Sequence, residues 1–179
     1  LKWKVKPKQT INVGFGIHSR LESFTTYFAK DSEGNNLNTN LDFSQANHYV
    51  LGYAYNITPN LNLKTEAYYQ DLSKIGVGSG EYAHYSLINY EGGGVSDVAL
   101  TNGGKGKNYG LELTLERYFT EDFFFMLTGS FYESKYQTSN KIWKDAKHNG
   151  NFATNLLIGK EFKVGKKEKN RILGLSGKI

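Results

Sequence analysis

The feature that most constrains this chain is an alternation of connection lengths between runs of period-two residues. From Asn108 to Tyr136, Tyr109, Leu111, Leu113 and Leu115 alternate with Gly110, Glu112, Thr114 and Glu116. A tight Thr120-Glu121-Asp122 turn follows, and Phe123, Phe125, Leu127 and Phe131 resume the apolar face. Period two means strands with one wet and one dry face. Short and long connections that alternate put all the tight turns at one end of a sheet, so its two ends meet different surroundings.

The same pattern runs along the whole chain. Leu1, Trp3 and Val5 lead to a turn at Pro7-Lys8, and Ile11, Val13, Phe15 and Ile17 return opposite Asn12, Gly14, Gly16 and His18. After a polar segment over 19–45, Tyr49, Leu51, Tyr53, Tyr55 and Ile57 precede Thr58-Pro59-Asn60, where proline presets a turn backbone. Leu61, Leu63, Thr65, Ala67 and Tyr69 then oppose Asn62, Lys64, Glu66, Tyr68 and Gln70. A long loop is expected over 73–107, containing Gly92-Gly93-Gly94 and Gly103-Gly104, and a shorter one over 137–148. Asn151, Ala153 and Asn155 alternate with Phe152, Thr154, Leu156 and Ile158, a last tight turn falls near Gly165 to Asn170, and Leu173 and Leu175 open a final strand. About eight strands of about ten residues result, each rising roughly 33 Å, enough at a tilt to cross an apolar band of about 25 Å.

Composition bears on where such a sheet resides. The chain holds 20 Gly, 13 Tyr and 11 Phe against 2 Pro and 1 Met, a balance that favours strands and turns. A mean hydropathy of -0.54 suggests a soluble protein, but polar loops and a polar lumen dilute the thin apolar band of a barrel. No apolar run is long enough for a membrane helix, and Leu1-Lys2-Trp3-Lys4-Val5 reads as the tail of a strand, not as a secretory signal. With no cysteine there is neither a disulfide framework nor a thiol metal site. The net charge of +5 gathers at Lys2, Lys4, Lys6, Lys8 and from Lys160 to Arg171; nucleic acid would require such charges interleaved with stacking aromatics on one surface, and they read better as solvated turns and strand ends, so no nucleic-acid partner is expected.

A membrane explains the alternation better than a sandwich core does. The dry faces of several strands carry no charge at mid-strand, where a lysine or arginine facing lipid costs about 2–4 kcal/mol. Tyr55, Tyr118, Phe119, Phe123 and Phe162 lie near short turns, and Tyr49, Tyr69, Tyr109 and Phe131 near long loops, as rings with one polar edge do at bilayer interfaces. The other face is mixed in charge, with Lys64, Glu66, Glu112 and Glu116. The expected partner of the dry face is outer-membrane lipid, with the short turns facing the periplasm.

Chemistry-bearing patterns are weak. His18, His48, His84 and His148 lack zinc-site spacing. Gly103-Gly104-Lys105-Gly106-Lys107 lacks the spacing of a phosphate loop and is read as flexible surface loop. Asp31-Ser32-Glu33-Gly34-Asn35-Asn36 offers oxygen ligands but no twelfth-position glutamate. Glu112 and Glu116 stand about 13 Å apart along a strand, too far for a retaining carboxylate pair. No catalytic residue, metal site or cofactor is expected, and the chain is not read as an enzyme.

Several runs carry a resemblance. His48 to Tyr53, Leu61 to Leu72, Gly110 to Arg117, Ser134-Lys135-Tyr136, Asn149 to Phe152 and Gly159 to Phe162 resemble the late barrel strands of TonB-dependent outer-membrane receptors of the Bacteroidetes type. The resemblance implies an antiparallel up-and-down transmembrane β-barrel of about twenty-two strands in a Gram-negative outer membrane. It also implies an amino-terminal plug domain, pulled by the TonB complex to admit a nutrient. The chain, residues 1–179, is then expected to be a carboxy-terminal portion of the barrel without plug or box. Asn12, Lys64, Glu66, Tyr68, Gln70, Glu112, Thr114, Asn151 and Asn155 are expected to face the lumen and the plug. Ligand contacts would come from the segments 19–45, 73–107 and 137–148, with the nutrient unknown among iron chelates, cobalamin, glycans and peptides. Two other readings stay open: a complete eight-stranded membrane barrel serving as anchor or adhesin, and a soluble binding sandwich.

Overall fold

The computed structural model describes residues 1–90, 98–165 and 171–179. Its strands are β1 (Lys2–Lys6), β2 (Gln9–Arg20), β3 (Ser44–Thr58), β4 (Leu61–Gly78), β5 (Leu100–Thr120), β6 (Phe123–Gln137), β7 (Trp143–Asp145), β8 (Phe152–Val164) and β9 (Arg171–Lys178). They form one antiparallel sheet in the order β1-β2-β3-β4-β5-β6-β8-β9, with β7 beside the far end of β6. Every neighbour on that path is the next long strand in the chain, the up-and-down meander that the alternating connections predict. The sheet is open: among the described residues β1 and β9 do not pair with each other.

Two differences from expectation have a common physical cause. The sheet has 9 strands instead of about eight, because the segment 137–148 holds β7. The strands also run well past ten residues, to 18 in β4 and 21 in β5. Much of the expected loop over 73–107 is therefore sheet, Gly103 to Lys107 included. Gly104 opposes Ile75, and a Cβ there would stand 2.5 Å from Val77 Cγ1. One at Gly106 would stand 2.8 Å from both Leu72 Cδ1 and Ile88 Cδ1. Gly104 lets β5 close on the end of β4, and Gly106 lets it close on the β4–β5 connection, a packing requirement with no local signature. Gly92-Gly93-Gly94 and most of the expected last turn lie outside the described residues.

Cross-strand register sorts side chains onto two faces. One carries the rows Val13–Leu51–Ala67–Leu111–Phe131–Phe152 and Ile11–Tyr53–Thr65–Leu113–Gly129–Thr154. Next to them on the side of the long connections lies Phe15–Tyr49–Tyr69–Tyr109, with ring centroids 5.1, 6.4 and 6.3 Å apart along the row. On the side of the short turns the face ends at Arg117, which is bonded to Glu121 at 3.1 Å, and at Lys160, whose Nζ lies 5.3 Å from the Phe162 ring.

This apolar face has no cover. Leu51 is 56% exposed, Leu111 51%, Phe131 65% and Phe152 66%, and among the described residues no second sheet packs on them. The buried core lies instead among the long connections, where Tyr27, Leu41, Val98 and Leu100 pack with Tyr85 and Leu87. Asn38, 1% exposed, ties that cluster: its Nδ2 donates to Val98 O at 3.1 Å, and its Oδ1 accepts from Leu100 N at 2.8 Å. A sheet that leaves its apolar side chains outside and packs only its loops is suited to lipid, because a protein in water would bury that face.

Candidate functional site

The candidate site is the opposite, polar face. Pairing places Asn12, Gly52, Glu66, Glu112 and Ser130 in one row, and Ala54, Lys64, Thr114, Thr128 and Asn155 in the next. Tyr68 stands in the row Val50–Tyr68–Gly110–Tyr132, and Gln70 in the row Gly16–His48–Gln70–Asn108–Ser134. Eight of the nine expected polar-face residues therefore share one surface. Asn151 differs: it precedes β8 with φ of 64°, and its carbonyl accepts from Tyr132 N at 2.9 Å, so a turn governs it and not the pleat.

Charge on this face is uneven. Lys64 Nζ lies 3.9 Å from Glu116 Oε2. Glu66 and Glu112 are directly opposed in register, and among the described residues no ion pair reaches either. Like charges on opposed residues repel, and the Lys64 ammonium of the neighbouring row is directed to Glu116. Tyr68 and Tyr132 flank Gly110, where a Cβ would stand 2.8 Å from Tyr68 Oη and 3.0 Å from Tyr132 Cβ. The missing side chain lets both rings lie on the sheet.

Toward the long connections the face becomes a ladder of uncharged polar groups. The His18 and His48 rings meet edge-on at 4.9 Å. Gln70 Nε2 bonds His48 Nε2, Asn108 Nδ2 donates to Gln70 Oε1 at 2.5 Å, and Ser134 Oγ donates to Asn108 Oδ1 at 2.6 Å. Ser134 N then donates to Asn149 Oδ1 at 2.9 Å.

Above the ladder the β4–β5 connection folds over the polar face through a 3-10 turn, Leu87–Asn89, capped by Ser86 Oγ accepting from Ile88 N at 3.3 Å. Beneath it lies a cavity of about 610 Å³, lined from the sheet by His18, Arg20, Gln70 and Leu72 and from the connection by Leu87 and Ile88. Arg20 Nη2 lies 3.3 Å from Glu22 Oε2, and Ser44 Oγ donates to Glu22 Oε1 at 2.8 Å. Of this group only Gln70 was singled out from sequence. His18, His48, Asn108 and Ser134 come from different strands, and only register brings them together.

No family model matches the sequence, and no curated protein matches it. The fold has a match among solved structures: the FrpB iron transporter from Neisseria meningitidis (F3-3 variant), with a TM-score of 0.63 and 12% sequence identity over 99% of this chain. The chain spans 25% of the length of that transporter. At this identity the likeness is one of fold, and it extends over nearly the whole of this chain.

Proposed function

We propose that this chain forms part of the barrel wall of an outer-membrane TonB-dependent receptor, a transporter that admits a nutrient when a plug inside the barrel is pulled. The observation that carries the reading is the uncovered apolar face, bounded by a tyrosine row on one side and by Arg117 and Lys160 on the other, on a sheet that matches a transporter barrel along nearly its full length. An open sheet in lipid leaves backbone groups unpaired at several kcal/mol each, so the free edges of β1 and β9 require further strands. That requirement favours a wall section of a larger barrel over a complete eight-stranded one. The opposed Glu66 and Glu112 suit contact with a basic surface of a plug, which would relieve their repulsion in a wet lumen.

The test follows the protein in cells that express it. Outer-membrane fractions are expected to contain it in a heat-modifiable, barrel-closed form, and uptake of its nutrient is expected to stop when the proton-motive force is collapsed. Recovery in the soluble fraction would refute the assignment, and uptake indifferent to the proton-motive force would remove the TonB-dependent part of it.

A further inference from the structure

The cavity beneath the 3-10 turn has a chemical character that selects among ligands, and we infer that it binds an uncharged amphipathic molecule: an amide- or hydroxyl-bearing head on an apolar body. This rests on the transport reading and names the substrate class for it. Among the described lining residues the one charged side chain is Arg20, 77% exposed, and it is paired. Arg20 is bonded to Glu22, whose side chain is only 8% exposed and also accepts from Ser44, so guanidinium and carboxylate offset each other. The neighbouring groups, His18 and Gln70 with His48 behind them, are imidazoles and an amide, which together offer hydrogen-bond donors and acceptors.

The connection side is hydrocarbon from Leu87 and Ile88, and Leu72 adds to it from the sheet, with Ile88 and Leu72 both lying against Gly106. Other ligand classes fit less well. An anionic chelate entering here would lose water without gaining a free cation. A bare metal ion would need a cluster of side-chain ligands, and among the described residues no group of three or more His, Asp and Glu is so placed. A neutral head can join the Gln70–Asn108 ladder, because each of those amides donates and accepts, while its body displaces water from the apolar side.

The test uses the intact protein in lipid nanodiscs and three probes: 3-phenylpropanamide, its carboxylate isostere 3-phenylpropanoate, and ferric citrate. Ligand-observed NMR is expected to show the amide bound at least about tenfold more tightly than the carboxylate, the ratio lost when one buried charge goes uncompensated. Gln70→Leu, which removes the amide at nearly constant volume, is expected to weaken the amide probe about tenfold. Leu87→Ala is expected to weaken both phenyl probes together. Equal or tighter binding of the carboxylate or of ferric citrate overturns the class, as does a Gln70→Leu protein that binds the amide unchanged. Heat-modifiable migration of each variant reports barrel assembly separately. An assembled barrel without preference for the amide sinks the ligand class alone, and a protein that is absent from the outer membrane sinks both readings.

Discussion

At the scale of single residues, the long connections are fastened by side chains that replace backbone partners. Asn38 is the clearest case, since it serves a carbonyl and an amide while 1% exposed. Asn38→Leu keeps the volume but strands both groups, so we expect it to cost about 2 kcal/mol and to make the cluster around Leu41 and Val98 more sensitive to protease. Unchanged proteolysis would show that the tie is dispensable. Asp31 builds a turn in the same region: Oδ1 accepts from Glu33 N at 3.0 Å and Asn35 N at 2.8 Å, and Oδ2 accepts from Asn35 Nδ2 at 3.1 Å. The Asn35 backbone bond, then its side-chain bond, holds the Asp31 carboxyl below its ordinary value of 3.8. A carboxyl lowered by folding stabilises the turn fully above the unfolded value and loses that contribution as pH falls through the folded one. The amide shifts of Glu33 and Asn35 should therefore titrate with a midpoint below 3.8, and a midpoint at or above it contradicts the geometry.

At the scale of elements, each strand is a boundary between two media, and neighbouring residues should respond oppositely. Leu113→Arg on β5 places a charge within the apolar rows and is expected to cost about 2–4 kcal/mol in vesicles. Thr114→Arg, one residue on and facing the polar side, should cost well under about 1 kcal/mol. Denaturant titration of the barrel in lipid vesicles measures both, and equal penalties would deny that the faces differ. Glycines make a second contrast. Gly104→Ala meets Val77 Cγ1 at 2.5 Å and Ile75 O at 2.8 Å, whereas Gly129→Ala meets nothing within 4 Å. Overpacking should cost the first about 1–3 kcal/mol, while the second changes little. The Gly103 to Lys107 run reads as loop because glycine and lysine are poor strand formers. It is strand because Gly104 is where β5 closes on Ile75 and Val77 of β4 and Gly106 is where it meets Ile88 of the folded-over connection, contacts that exist only in three dimensions.

At the scale of the whole molecule, the exposed rows from Val13 to Phe152 form an apolar surface wider than a water-soluble monomer tolerates. Without detergent the purified chain should aggregate, and a cooperative, monomeric transition in plain buffer would dismiss the membrane assignment. The sequence by itself determined the strand faces, the tight turns at Pro7-Lys8, Thr58-Pro59-Asn60 and Thr120-Glu121-Asp122, and the meander. These follow from period two and turn chemistry, which act over a few residues. Tertiary structure decided how far β4 and β5 extend, that β7 exists, and that His48, Gln70, Asn108 and Ser134 make one ladder beneath a roofed cavity. It decided these because register is settled by every strand at once: one hydrogen-bond pattern must seat all the dry side chains on one face, and only then do distant polar residues become neighbours.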